Sequence, residues 1–181
     1  MNVAVELGFD AASEGRLRAI WSTLELIYGH PQRSDLGVRP HLSLAVFSGP
    51  EPVFLERELQ ALAGRFDSFS IHLATARSFP TAEGVVYLAP SPSESLREIH
   101  SVFHAALSER GESGHPYYRP DAWIPHCTVA TDVPPHLLDQ VKEACQRAAG
   151  FGQATVESVH AVAYRPARDL CCFPLRRSRA V

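Results

Sequence analysis

Apolar residues recur along the chain in two rhythms, one of period two and one close to 3.6. In residues 3–9, VAVELGF, Val3, Val5, Leu7 and Phe9 alternate with Ala4, Glu6 and Gly8, which predicts a half-buried strand. Leu17, Ile20, Trp21, Leu24 and Tyr28 follow at helical spacing, with Asp10 or Ser13 placed to cap the helix. A strand over 41–47 is followed by the helical stretch EPVFLERELQALAGRF, with proline near its first turn and Gly64 near its end. DSFSIHLATARSF reads as another strand, and TAEG turns it into VVYLAP.

From there the order repeats. Strand 85–89 leads to a helix from about Ser93, with Leu96, Ile99, Phe103 and Leu107 on one face. Strand 126–131 follows, then a helix from Pro134 that sets Leu138, Val141, Cys145 and Ala148 on one face. TVESVHAVAYRP is the next strand, and DLCCFPL closes the series. His41 and His126 lie 85 residues apart; His41 precedes Pro80 by 39 residues and His126 precedes Pro166 by 40. Matching elements at matching distances predict an α+β fold of two duplicated βαβαβ halves, about 1–82 and 83–181, in one bilobal domain over 1–181. The handedness preference of crossovers makes such halves alike in shape and suggests a pseudo-two-fold between them.

The chemistry sits at the point of repetition. RPHLSLAVF (39–47) and WIPHCTVAT (123–131) each place a histidine after proline and a hydroxyl two residues later in an apolar strand. Residues i and i+2 share a strand face, so His41, Ser43 and Ala45 are expected on one face, and His126, Thr128 and Ala130 on one face of their strand. Imidazole changes charge near neutral pH, and two facing each other across a groove can serve one substrate as general base and general acid. Hydroxyls of Ser43 and Thr128 can donate to anionic oxygens between them. Together these suit in-line displacement at phosphorus, with no metal required and no cofactor expected. One such histidine–hydroxyl pair is commonplace; two at equivalent points of a repeat are much harder to attribute to chance.

HLSL and HCTV resemble the paired H-x-[ST]-x motifs of the two-histidine (2H) phosphoesterase superfamily, which includes RNA 2′-5′ ligase-like proteins and cyclic nucleotide phosphodiesterases. The similarity extends to GVVYLAP, to W-x-PH before the second motif and to overall length; Ser43 stands where threonine is more usual. The resemblance implies antiparallel-rich sheets enclosing a central cleft lined by both motifs. It also implies metal-independent action on 2′,3′-cyclic phosphates or 2′-5′ linkages, at RNA ends or in small nucleotides. Two alternatives stay open: a binding module with little turnover, and ligation in the reverse direction. Which histidine is base and which acid is not decided by the repeat.

The surrounding signals are weaker. In GESGHPYYRPDAW, Tyr117, Tyr118 and Trp123 are candidates for stacking on a base and Arg119 for holding a phosphate. Arg39, two residues before His41, and Tyr164, paired in the repeat with Phe79, are further candidates for the groove wall. His100 and His104 have a zinc-compatible spacing, yet no HExxH motif is present, and solvated helix histidines are the better expectation. His72 and His160 are expected as equivalent, partly buried strand histidines, and the RRSRAV tail as a frayed end.

Composition narrows the rest. The 181 residues are 45% hydrophobic and 20% charged, ordinary for a globular domain. A net charge of −3 excludes a surface-wide polyanion trap, so any phosphate is expected to meet a local site. Of 17 basic residues only Lys142 is lysine, a bias that genome composition explains as well as phosphate chemistry does. Four cysteines form no CxxC pair, and MNVAVELGFDAASE lacks a signal-like charge and hydropathy profile. A cytoplasmic monomer without membrane contact is expected.

Overall fold

The computed structural model describes residues 2–28, 37–48, 52–148, 152–164 and 166–177. The end of the RRSRAV tail and the side chain of Tyr28 lie outside them. The first half runs β1 (Asn2–Phe9), α1 (Ala11–Tyr28), β2 (His41–Ser48), α2 (Leu55–Arg65) and β3 (Phe69–Ser78). The second runs β4 (Val86–Pro90), α3 (Glu94–Glu109), β5 (Cys127–Ala130), α4 (Leu138–Arg147) and β6 (Gln153–Tyr164), and β7 (Arg168–Pro174) follows. The doubled β-α-β-α-β order is the one the repeat predicts.

Helix starts follow local chemistry. Asp10 Oδ1 accepts from the Ser13 amide at 2.8 Å, which makes Asp10 the cap of α1. Buried Ser13 instead accepts from the Thr155 amide at 3.0 Å and ties α1 to β6. Ser93 caps α3 by accepting from the Leu96 amide at 3.2 Å. No helix among the described residues is long and apolar enough to cross a membrane.

The seven strands form one antiparallel sheet in the order β2-β1-β6-β3-β4-β5, with β7 beside β6. Exchanging β1 with β4, β2 with β5 and β3 with β6 reverses this order and leaves it unchanged, so the topology carries the pseudo-two-fold. The third strand of each half leaves that half: β6 pairs with β1, and β3 pairs with β4. The two travelling strands meet over Phe69–His72 and Gln153–Val156. The end strands β2 and β5, which carry the motifs, also approach each other. Trp21, Leu24, Leu59, Leu73 and Phe103 are fully buried in the core, each contributing about 1.5–3 kcal/mol of hydrophobic stabilisation.

Three expectations are overturned. β1 is buried on both faces: Ala4, Glu6 and Gly8 are covered like Val5, Leu7 and Phe9 on the other side. Ala45 and Ala130 do not continue the histidine–hydroxyl face. Ser43 lies opposite Glu6 but Ala45 lies opposite Val5, and likewise Thr128 opposite Tyr87 but Ala130 opposite Val86. A bulge at Leu44 and another at Val129, again 85 residues apart, turn each alanine into the core. Finally, His72 is not the equivalent of His160: the register sets Arg77 beside Tyr87 where His160 stands beside Glu6, and His72 is exposed.

Candidate active site

The two motif histidines are held alike. Nδ1 of His41 lies 2.7 Å from the Arg39 carbonyl oxygen, and Nδ1 of His126 lies 2.6 Å from that of Ile124. A carbonyl only accepts, so Nδ1 carries the hydrogen in both rings and Nε2 is the nitrogen that can exchange a proton. Each chain turns into its strand immediately after proline, and this places the carbonyl of residue i−2 under the ring.

Tyr118 links the two motifs. Its phenol hydrogen-bonds the Ser43 side chain and lies near Glu6 and Tyr164, while its ring centroid is 6.3 Å from that of His126. Burial, with Tyr164 and Glu6 nearby, raises its ionisation above the ordinary phenol value, so it is a neutral hydroxyl at physiological pH. Trp123 makes a second link. Its indole N–H donates to the Ser43 carbonyl at 3.0 Å, three residues before His126 in the chain.

A cavity of about 470 Å³ opens beside His126 and Thr128, walled by Phe79, Tyr117, Tyr118 and Ile124. Phe79 stacks on Tyr87 at 4.4 Å and meets His126 edge-on at 5.1 Å. Tyr117 and Ile124 are exposed at the rim. A smaller hollow of about 140 Å³ is lined by Glu6, Arg39, Tyr164 and Asp169 on the side of the first motif. Phe79 and Tyr164 therefore line separate hollows rather than one wall.

Neither Arg39 nor Arg119 lines the cavity at His126. The Arg39 guanidinium pairs with Asp169 and donates to Nδ1 of His160 at 3.0 Å. It thereby anchors the carbonyl that orients His41. Arg119 lines another hollow, with Val46, Phe54 and His115, away from the cavity at His126.

His100 and His104 are buried rather than solvated. His100 stacks on Trp123 at 3.8 Å, with the rings 5° from parallel, and donates from Nε2 to the Tyr118 carbonyl at 2.9 Å. His104 donates from Nε2 to the Leu44 carbonyl at 3.0 Å. Burial, then the neighbouring His104, brings His100 down to about 4, and burial lowers His104 as well, so both rings are neutral struts between α3, the 116–126 loop and β2.

Sequence reasoning missed Glu6 as a site residue. It lies opposite Ser43 on one side and His160 on the other, and its Oε1 is 3.4 Å from His41 Nε2. The available signal was a lone acid within an otherwise apolar strand.

A family model for the 2′-5′ RNA ligase superfamily matches residues 10–168. The chain belongs to the 2′-5′ RNA ligase superfamily, the two-histidine phosphoesterases that the HLSL and HCTV motifs resemble. A protein of Geobacillus sp. (strain WCH70) named "Putative phosphoesterase" is 25% identical over 127 residues, which cover 68% of this chain and 64% of that protein. The chain thus matches a little under two thirds of that relative's length. Among solved structures, TT0787 of Thermus thermophilus is similar at a TM-score of 0.63 and 19% identity, covering 99% of this chain and 100% of that one. Escherichia coli LigT complexed with 3′-AMP gives a TM-score of 0.60 at 18% identity, over 96% of this chain and 97% of LigT. At such identities the structural likeness establishes the shared superfamily fold, with its duplicated halves.

Proposed function

We propose that this superfamily member is a phosphodiesterase acting on RNA ends or small nucleotides that carry a 2′,3′-cyclic phosphate or a 2′-5′ linkage. The observation that carries the reading is the matched pair of imidazoles, each fixed through Nδ1 and each two residues before a strand hydroxyl, bridged by Tyr118 beside an aromatic-walled cavity. The LigT structure holding 3′-AMP supports a nucleotide as ligand, and the aromatic cavity suits a base stacked against Tyr117 or Phe79.

In the hydrolytic step one imidazole Nε2 takes a proton from water as its oxygen bonds to phosphorus. The bond from phosphorus to one ribose oxygen breaks in line, and the other imidazole gives that oxygen its proton. Thr128 and one hydroxyl of the hydrogen-bonded Ser43–Tyr118 pair donate to the non-bridging oxygens, whose charge grows in the transition state. These side chains supply the proton transfers and charge stabilisation, and turnover is expected to survive chelators.

The test is turnover of 2′,3′-cyclic nucleoside monophosphates and of RNA ending in a cyclic phosphate. Replacing His41 or His126 by alanine is expected to lower kcat by roughly 10²–10⁴ in each case. Full activity in both variants refutes the assignment. Tight binding without product in the wild-type protein also refutes it and identifies a binding module.

A further inference from the structure

The pseudo-two-fold makes the histidines topologically equivalent, yet their neighbours on the adjoining strand differ. Opposite Ser43, β1 presents the carboxylate of Glu6; opposite Thr128, β4 presents the phenol ring of Tyr87. Glu6 is only 7% exposed, in a strand whose described residues are nearly all buried. Its Oε1 lies 3.4 Å from His41 Nε2, while His41 Nδ1–H is already committed to the Arg39 carbonyl. A carboxylate only accepts. The contact is therefore attractive when Nε2 also bears a hydrogen, which makes His41 an imidazolium and forms a charge-assisted pair. A buried carboxylate is costly unless it is paired, and His41 Nε2, the nitrogen left to exchange a proton, lies within reach of this one.

We propose that Glu6 is a positioning residue that holds the second proton on His41 Nε2, so that His41 enters the reaction as the proton donor to the leaving oxygen and His126 takes the proton from the nucleophile. This rests on the phosphodiesterase reading and adds to it the residue that makes a symmetric fold chemically polar. The charged and titratable groups around His41 come from every neighbouring element: Glu6 on β1, His160 and Tyr164 on β6, Asp169 on β7, Tyr118 from the loop, and Arg39. Arg39 is turned toward Asp169 and His160, and His160 accepts its hydrogen at Nδ1, donates from Nε2 to Ser158 at 2.8 Å, and is neutral. Glu6 is the group that sets a carboxylate oxygen 3.4 Å from His41 Nε2.

The test is a pH titration of the His41 ring by NMR alongside the pH dependence of kcat/KM on a 2′,3′-cyclic nucleoside monophosphate, in wild type, Glu6→Gln and Glu6→Asp. In wild type His41 is expected to titrate above the ordinary imidazole value of about 6.5. In Glu6→Gln both the ring titration and the alkaline limb of the rate profile are expected to move down by about one pH unit, since an adjacent opposite charge shifts ionisation by roughly 1–3 units. In Glu6→Asp, which keeps the charge but withdraws it, the shift is smaller. The inference is overturned if His41 in wild type titrates at or below about 6.5, the ordinary imidazole value, or if neither the ring nor the limb moves in folded Glu6→Gln. The ring reports whether or not the substrate turns over. An inactive wild-type protein therefore defeats the phosphodiesterase reading, while the titration still decides the role of Glu6.

Discussion

Replacing Trp123 by phenylalanine separates the two motifs while leaving each intact. The indole makes two contacts with distinct consequences: its face stacks on His100 at 3.8 Å, and its N–H reaches the Ser43 carbonyl at 3.0 Å. Phenylalanine keeps a ring for the first and deletes the second. The lost bond, and the carbonyl left without this donor, are together worth about 1–2 kcal/mol. For a chain of this size each kcal/mol moves Tm by roughly 2–4 °C, so a fall of roughly 2–8 °C is expected in a thermal melt. Activity is expected to drop further than stability explains, because the chain continues from Trp123 to His126 in three residues and a 1 Å misplacement can cost about 10²-fold. The assay is kcat/KM on a cyclic nucleotide well below the variant's Tm. A variant with wild-type Tm and wild-type kcat/KM refutes the idea that this bond sets the spacing of the two motifs.

The other expectations are briefer. Gly8→Ala drives a methyl to within 2.5 Å of Ser158 Oγ and 2.6 Å of His160 Nε2, disturbing the bond that supports Arg39. A loss of about 1–3 kcal/mol in urea unfolding is expected, with reduced turnover. Gly84→Ala meets unyielding backbone, Val133 O at 2.2 Å, at a φ of +56°, and is expected to destabilise more than Gly8→Ala in the same unfolding series. Burial, with His104 beside His100 and Arg39 beside His160, brings both rings down to about 4 from an ordinary 6.5. Between these values the unfolded chain binds more protons, so their stabilisation is complete above about pH 6.5 and is lost as pH falls toward 4. Melts at stepped pH are expected to show this decline, and His100→Gln to flatten it.

Much of the fold was written in periodicity and spacing. The element order and the equivalence of His41 with His126 follow from strands and helices whose patterns are local. What could not be read depends on register. Alternation counted outward from His41 places Ala45 in the cleft, but a bulge resets the count, and bulges leave no mark in an apolar run such as LSLAV. Glu6 looked like the open face of a half-buried strand because nothing local says that Ser43, His160 and Tyr118, all distant along the chain, will gather around it. His100 and His104 looked solvated for the same reason: their partners, the carbonyls of Tyr118 and Leu44, belong to a loop and a strand. That Arg119 parts from the two tyrosines before it was equally hidden, because a tight 3-10 turn over Pro116–Tyr118 sends neighbouring side chains to different hollows.

Because β6 completes the sheet begun by β1, and β3 the sheet begun by β4, neither half can finish folding without the other. Cutting the polypeptide at the TAEG turn would yield two pieces, each with a vacant berth and an unhoused strand. Contacts so remote along the chain make slow, concerted folding the natural outcome. Separately prepared pieces should be insoluble or unstructured alone and regain shape only as a reconstituted pair, an obligate partnership inside a single gene product.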